Sequence, residues 1–320
     1  MKRTLFITSN RLGDAVLTTG VLNYLIDLEP DVPVTVVCGH LPAEIFRSVK
    51  GVEKVVPISK RKYSLHWLDA FKQLEFGYWH RIVDFRGSPL GFLPARHHHL
   101  WKGGADHIHK TEANAKTIGV EYPLPPVIRT EHRVSEKLGG LPENEKILAI
   151  APTANSYKKQ WHYENFIALS TALIKSGGIL ENAKIIVLGA PGEEEQAMPV
   201  VEGLPQDRVI NFVGKTTPLE AAQILSYCDL FVGNDSGLMH TAVAVNIPTV
   251  GLFGIGKPVV YRPWGEKSLC LIGEPAGERI TRTIVSDDHG NEVIRETLPL
   301  NHVVSEVELF YRRIDKHANV

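Results

Sequence analysis

The sequence predicts an α/β protein of two Rossmann-like lobes, each built on a parallel sheet, with the sheets facing a central cleft. Three observations predict it. Runs rich in Val and Ile alternate with amphipathic stretches along most of the 320 residues, which is the pattern of βαβ units. A tract rich in proline and charge, from Glu121-Tyr-Pro-Leu-Pro-Pro126 to Pro142-Glu-Asn-Glu145, interrupts that pattern and reads as a linker. The length suits two domains of ordinary size. The expected boundaries are 1–140 for the N-terminal lobe and 146–300 for the C-terminal lobe. A last amphipathic helix, 301–320, is free to pack back across them.

In the first lobe the apolar runs place strands at 4–8, 34–38, 54–58 and 81–85. Between them the spacing of apolar residues changes to the helical period at 14–28, 42–49 and 65–74. Strands in the second lobe are expected at 147–151, 184–188, 209–212, 230–232 and 248–252. Its helices are expected at 163–175, 193–202, 219–226 and 238–245, and a further amphipathic stretch covers 303–314.

Composition narrows the function. With 43% hydrophobic and 22% charged residues the chain reads as a soluble globular protein. Its 35 basic residues against 36 acidic ones argue against a bulk nucleic-acid binder. Cys38, Cys228 and Cys270 lie far apart in apolar surroundings, like buried thiols of a reducing compartment. Arg11 and Asp14 interrupt the first apolar run too early for a signal-peptide core. No run approaches the length of a membrane span, so a cytoplasmic location is expected.

The most informative segment is Val232-Gly-Asn-Asp-Ser-Gly-Leu-Met-His240. An apolar strand enters a polar turn and a helix follows, with Asp235 or Ser236 suited to cap it. The amides of Ser236, Gly237 and Leu238 would then point outward at the positive end of the helix dipole. They form an anion cradle, and Gly237 leaves it open to a bulky group. His240 shares that face and can donate a proton to a phosphate. A plain capped helix with a surface histidine explains the same residues equally well.

Other segments sit at strand ends, where open α/β sheets place their sites. Leu5-Phe-Ile-Thr-Ser-Asn-Arg-Leu-Gly-Asp14 has the strand, turn and helix of a dinucleotide fold but only Gly13 of its three glycines. A nicotinamide cofactor is therefore poorly supported, and no cofactor is expected. Asp14 is a site carboxylate or a simple N-cap. Ala151-Pro-Thr-Ala-Asn-Ser-Tyr-Lys-Lys-Gln-Trp161 gathers hydroxyls and lysines that suit a diphosphate leaving group, or form a solvated loop. Glu220, after Thr216-Thr-Pro218, starts a helix and is also placed to hold ribose hydroxyls.

Two resemblances to known sites fail on inspection. Gly251-Leu-Phe-Gly-Ile-Gly-Lys257 matches a P-loop until Pro258 replaces the magnesium-binding hydroxyl. His97-His98-His99, with His107 and His109 nearby, cannot converge on one ion from a regular element, so a basic solvated loop is expected there. Asp287-Asp288 is no better, and no metal site is predicted.

Taken in order, Asn10-Arg-Leu-Gly-Asp14, Lys159-Gln-Trp161, Thr217-Pro-Leu-Glu220, Asp235-Ser-Gly-Leu-Met-His240, Pro248-Thr-Val-Gly-Leu-Phe-Gly254 and Tyr261-Arg-Pro-Trp-Gly265 resemble glycosyltransferase family 9, the heptosyltransferases of the lipopolysaccharide core. The resemblance implies a GT-B architecture with an acceptor-binding first lobe and a nucleotide-sugar-binding second lobe. It makes Asp14 the catalytic base, Lys159 a phosphate ligand and Glu220 a ribose ligand. Asp235, Ser236, Gly237, Leu238 and His240 then hold the donor diphosphate, with Ser156 and Gly13 beside it. Arg11, Arg86 and Lys60-Arg61-Lys62 are the expected acceptor contacts, joined by positive charge at Arg96 and Lys102. The loop departs from the family where His162 replaces a proline, and the histidine segment and 273–298 match nothing in it.

The implied reaction is metal-independent, inverting transfer of a heptose or related hexose from a nucleotide diphosphate, ADP-linked for preference. The expected acceptor is an anionic lipid-linked glycan of lipopolysaccharide type at the inner membrane face. No nucleic acid is expected as a partner. The rival readings are a nucleotide-sugar epimerase of GT-B-like fold, which needs further carboxylates and no acceptor, and a non-catalytic sugar-nucleotide-binding protein.

Overall fold

The structure is a computed structural model that describes residues 2–74, 77–130, 141–142, 144–254, 256–273, 284–286, 292–294 and 298–318. Residues 131–140 and 143 of the expected linker, Ile255 and the Asp287-Asp288 pair lie outside the described residues. The chain divides into two compact units, Met1–Glu131 with Thr217–Leu219, and His132–Thr216 with Glu220–Val320.

The first unit carries β1 (Thr4–Ile7), α1 (Leu12–Val16), α2 (Thr19–Leu28), β2 (Val34–Gly39), α3 (Ala43–Arg47), β3 (Val52–Ile58), α4 (His66–Gln73), β4 (Trp79–Asp84), β5 (Ala95–Leu100) and α5 (Lys110–Thr117). Its strands form one parallel sheet in the order β3-β2-β1-β4-β5. Alternate residues of β1 enter different cores. Phe6 packs with Val36, Cys38 and Phe46 on one face, while Leu5 and Ile7 pack with Val37 and Ile82 on the other. A sheet covered on both faces needs apolar residues at every position, which is why its strands read as continuous runs.

The second unit carries β6 (Ile147–Ala151), α6 (Tyr163–Ile174), β7 (Lys184–Val187), α7 (Glu194–Gly203), β8 (Val209–Asn211), α8 (Pro218–Leu225), β9 (Leu230–Asn234), α9 (Gly237–Ala244), β10 (Thr249–Phe253), α10 (Pro258–Tyr261), β11 (Ser268–Ile272) and α11 (Leu300–Ala318). Six strands pair in parallel in the order β11-β10-β9-β6-β7-β8. The short β12 (Ile284–Ser286) and β13 (Glu292–Ile294) form a separate antiparallel pair. Leu148 and Ile150 face one core and Ile147, Ala149 and Ala151 the other. Helix α11 buries Val303, Val307, Phe310 and Tyr311, one stripe at helical spacing, in the first of these cores beside Phe166 and Leu169 of α6.

Each sheet reverses its winding once, and a reversal leaves a crevice at the carboxyl ends of two adjacent strands. In the first unit those strands are β1 and β4, and in the second they are β6 and β9.

The expected elements are corrected at several points. The helix expected over 14–28 breaks between α1 and α2. Thr18 Oγ1 donates to Ala15 O at 2.7 Å and Thr19 Oγ1 to Val16 O at 2.7 Å. Hydroxyls that take over backbone carbonyls in this way interrupt a helical ladder. Thr19 Oγ1 also accepts from Val127 N at 2.9 Å, and Thr18 Oγ1 lies 2.9 Å from Thr8 Oγ1. The segment Ala95–Leu100, expected as a solvated loop, is the edge strand β5, and His98 Nδ1 lies 2.9 Å from Gly91 O. Helix α5 was not expected, because Lys-Thr-Glu-Ala-Asn-Ala-Lys-Thr carries no apolar stripe; His109 Nδ1 caps it by accepting from Thr111 N at 3.2 Å. Strand β11 and the single turn α10 were also unforeseen. Gly251 falls inside β10 and Pro258 opens α10, so the first glycine of the apparent P-loop belongs to a strand and its helix begins on proline.

Candidate functional site

In the second unit Ala151 of β6 lies opposite Gly233 of β9, so the segments leaving the two strands start side by side. Asn234, fully buried, ties them together. Its Nδ2 donates to Pro152 O at 2.7 Å, and its Oδ1 accepts from Trp161 N at 2.9 Å. Both ends of the loop after β6 are thereby fixed to β9. Between them Gln160 Nε2 reaches Gln196 Oε1 at 2.7 Å, and a single turn closes with Lys159 N donating to Ser156 O at 2.9 Å. The result is that Lys159 Nζ sits 2.6 Å from Asp235 Oδ2. Asp235 is buried and Lys159 is 31% exposed, so the ammonium is held at an opening. A Cβ on Gly256 would stand 2.8 Å from the same carboxylate oxygen and would crowd the pair. Beside the pair lies a shallow depression lined by Lys159, Trp161, Asn234, Phe253 and Leu298. Trp161 Nε1 donates to Leu298 O at 2.9 Å along it.

Ser236 is the cap residue of α9, in extended backbone, yet its side chain does not cap the helix. Among the described residues its buried Oγ has no hydrogen-bond partner. Asp235, the other expected cap, is engaged with Lys159. Among the described residues no side chain caps the first-turn amides of α9, which is the condition for an anion site. Gly237 and Leu238 are half-buried at that end. His240 is buried, its ring edge-on to Tyr261 at 6.3 Å, so it is not a surface histidine. Ser156 and Glu220 are half-buried, Glu220 in the first turn of α8.

In the first unit Ile7 of β1 faces Asp84 of β4. Asp14 is half-buried in the first turn of α1, whose cap residue is Arg11, so the simple N-cap explanation of Asp14 does not hold. Asp84 is fully buried. It accepts from Arg86 N at 2.7 Å, Ser88 N at 2.6 Å and Ser88 Oγ at 2.8 Å. Burial pushes its pKa up against the pull of those donors. The turn it shapes sends Arg86 Nη1 to Asn10 Oδ1 at 2.7 Å, beside the Trp67 ring. Arg86 therefore belongs with the Asn10–Asp14 segment. Arg11 is exposed and Gly13 half-buried in that segment. Lys60, Arg61 and Lys62 are exposed ahead of α4, with Arg61 Nη1 2.5 Å from Asp69.

Lys110 is a member of this group that no motif announced. Its ammonium lies 4.0 Å over the Trp101 ring. Burial lowers its pKa while the carboxylates of Asp14 and Asp106 raise it. Helix α5, which carries it, is anchored by Asn114 Nδ2 donating to Leu17 O at 2.9 Å. The other missed residue is Asn234, hidden in sequence because a Gly-Asn-Asp-Ser run reads simply as a turn. The thiols are free; Cys38 and Cys228 are buried, and burial pushes Cys38 up to about 12. Among the described residues no cluster of three or more His, Cys, Asp or Glu side chains could hold a metal ion.

Two units of this kind, each with its groups at a winding reversal, define the GT-B class of fold. Solved structures agree. The glycosyl transferase family 9 protein of Veillonella parvula superposes with a TM-score of 0.75 at 18% identity, over 98% of this chain and 97% of that one. An E. coli heptosyltransferase, WaaC, solved with ADP, gives 0.72 at 19% identity over 96% and 99%. The family model "Glycosyltransferase family 9 (heptosyltransferase)" matches residues 84–286, and the chain belongs to that family. Lipopolysaccharide heptosyltransferase 3 of Escherichia coli is 26% identical over 178 residues, covering 55% of this chain and 50% of that protein. The chain thus spans about half the length of the curated relatives it matches.

Asn234→Ala tests the architecture of the second site. It leaves two buried backbone groups, Trp161 N–H and Pro152 C=O, unpaired, at a cost of about 3 kcal/mol. Urea unfolding of the variant should show that loss; an unchanged midpoint would mean the loop is held by other contacts.

Proposed function

We propose that this chain is an inverting glycosyltransferase that moves a heptose or related hexose from an ADP-linked donor to an anionic glycan acceptor of lipopolysaccharide type. The observation that carries the proposal is the grouping of Lys159, the orphaned Ser236 hydroxyl and the uncapped end of α9 at one winding reversal. A nucleoside diphosphate brings two phosphate groups, and those are the acceptors such a grouping lacks. Family membership and the ADP bound by a structural relative support the same reading.

The barrier to glycosyl transfer lies in separating a cationic sugar from an anionic diphosphate. Lys159, Ser156, His240 and the amides of Ser236, Gly237 and Leu238 meet that departing charge, with no metal ion in the scheme. Asp235 is a carboxylate and would repel phosphate directly. Its part is to hold Lys159 in place before the donor arrives, which spares the ammonium the entropy of being ordered later. Glu220 takes the ribose hydroxyls. Asp14 removes the proton of the acceptor hydroxyl as it attacks the anomeric carbon. Arg11, Arg86 and Lys60-Arg61-Lys62 attract the anionic acceptor, a lipid-linked glycan presented at a membrane face.

Two substitutions separate these roles. Lys159→Ala removes a phosphate contact and leaves Asp235 buried without its partner, so ADP binding measured by calorimetry should weaken about tenfold or more, roughly 1.4 kcal/mol. Equal affinity would remove Lys159 from the phosphate site. Asp14→Asn should lower turnover by a factor on the order of a hundred to ten thousand while ADP affinity stays as in the wild type. Surviving turnover would show that another group is the base.

A further inference from the structure

The loop after β6 is braced from two sides. In the sheet order β9-β6-β7, Asn234 of β9 holds it at Pro152 and Trp161, its two ends. The other brace comes from the turn after β7 and the start of α7, Gly189-Ala-Pro-Gly-Glu-Glu-Glu-Gln196. There Glu193 Oε2 accepts from Thr153 Oγ1 at 2.6 Å. Gln196 Oε1 accepts from Gln160 Nε2 at 2.7 Å, and the same nitrogen donates to Ala154 O at 3.2 Å. Thr153 and Gln160 are both buried and stand one residue inside the ends that Asn234 fixes. Together these tethers close a neck, and the tip that projects from it, 155–159, carries Ser156 and Lys159.

Glu193 gives the neck its anchor on the β7 side. It is the cap residue of α7, where a polar side chain commonly bonds the helix amides, yet its side chain makes no capping bond. The side chain turns back instead. Ala190 N donates to Glu193 Oε2 at 2.9 Å while Glu193 N donates to Ala190 O at 3.0 Å. That closed turn fixes the carboxylate where it meets Thr153. The packing there is close, since a Cβ on Gly189 would stand 3.2 Å from Thr153 Oγ1 and 3.5 Å from Glu193 Oε2. The acidic first turn of α7 is supplied by Glu194 and Glu195, so the helix dipole does not need Glu193. A loop tip left loose would have to be ordered when a ligand arrived, and that entropy would be lost from affinity.

We infer that Glu193 is a positioning residue of the donor site, holding the 152–161 loop from the β7 side so that Lys159 is set for a diphosphate before it binds. The inference rests on the reading of Lys159 as a phosphate ligand. Asp235 holds the ammonium, and Glu193 holds the backbone that carries it. The Glu193 carboxylate meets Thr153 and Ala190 and not the donor, so its effect passes through Lys159.

The test is calorimetry of ADP and of adenosine, which lacks the phosphates, with the wild type and two variants at Glu193. Glu193→Ala should bind ADP about tenfold more weakly and adenosine as the wild type does. Glu193→Gln keeps an oxygen for Thr153 and Ala190 and should bind ADP within about threefold of the wild type. In a Lys159→Ala background the alanine substitution should cost no more than about twofold further, because the group it positions is gone. A residue that only stabilised the fold would weaken adenosine too, and its loss would multiply that of Lys159→Ala. Amide hydrogen exchange without ligand reads the brace directly. The amides of Lys159 and Gln160 should exchange at least about tenfold faster in Glu193→Ala while those of β6 keep their protection. Unchanged ADP affinity in Glu193→Ala, or losses that multiply with Lys159→Ala, overturn the inference. If the wild type bound no ADP, the donor reading would fall by itself. Exchange would then decide the brace, and unchanged protection at Lys159 and Gln160 would overturn it.

Discussion

The adjacency of β6 and β9 is the constraint on which the second unit's chemistry depends. Parallel strands that wind away from each other leave their carboxyl ends next to one another with no helix between. Ala151 opposite Gly233 fixes that meeting point. The segments leaving it carry buried polar groups, and a buried polar group must be paired. Asn234 meets the requirement by bonding both ends of the loop after β6. Lys159 is then delivered to Asp235 with little freedom left. The electrostatic pattern at this end of the sheet is therefore a consequence of topology and hydrogen-bond bookkeeping.

The same logic runs more loosely in the first unit. There Asp84 replaces Asn234 as the buried organiser, and the group it positions is Arg86, which reaches back to Asn10 ahead of Asp14. One unit concentrates donors suited to phosphate. The other sets the Lys110 ammonium where the Asp14 carboxylate acts on it.

Much of this was legible in the sequence, for stated reasons. Central parallel strands are apolar at every position, so 147–151 and 230–232 stand out, and the glycine and polar turn at 233–236 marks the end of a strand and the start of a helix. The edge strand β5 was not legible, since three histidines with one paired side and one open side carry no apolar signal. Helix α5 was missed for lack of a stripe, and with it Lys110. The break at Thr18-Thr19 was hidden because threonine is tolerated in helices unless its hydroxyl finds a better partner, here Val127 N. The pairing of Lys159 with Asp235 spans 76 residues and follows only from the strand order.

The central claim is that a diphosphate lodges on the uncapped end of α9 beside Lys159. Titration of isotopically labelled protein with ADP, followed through backbone amide resonances, tests it most directly. The account predicts that the amides of Ser236, Gly237 and Leu238 and those of the 156–161 loop move together with one saturation curve. Shifts confined to other strand ends, with these amides unmoved at saturation, would contradict it.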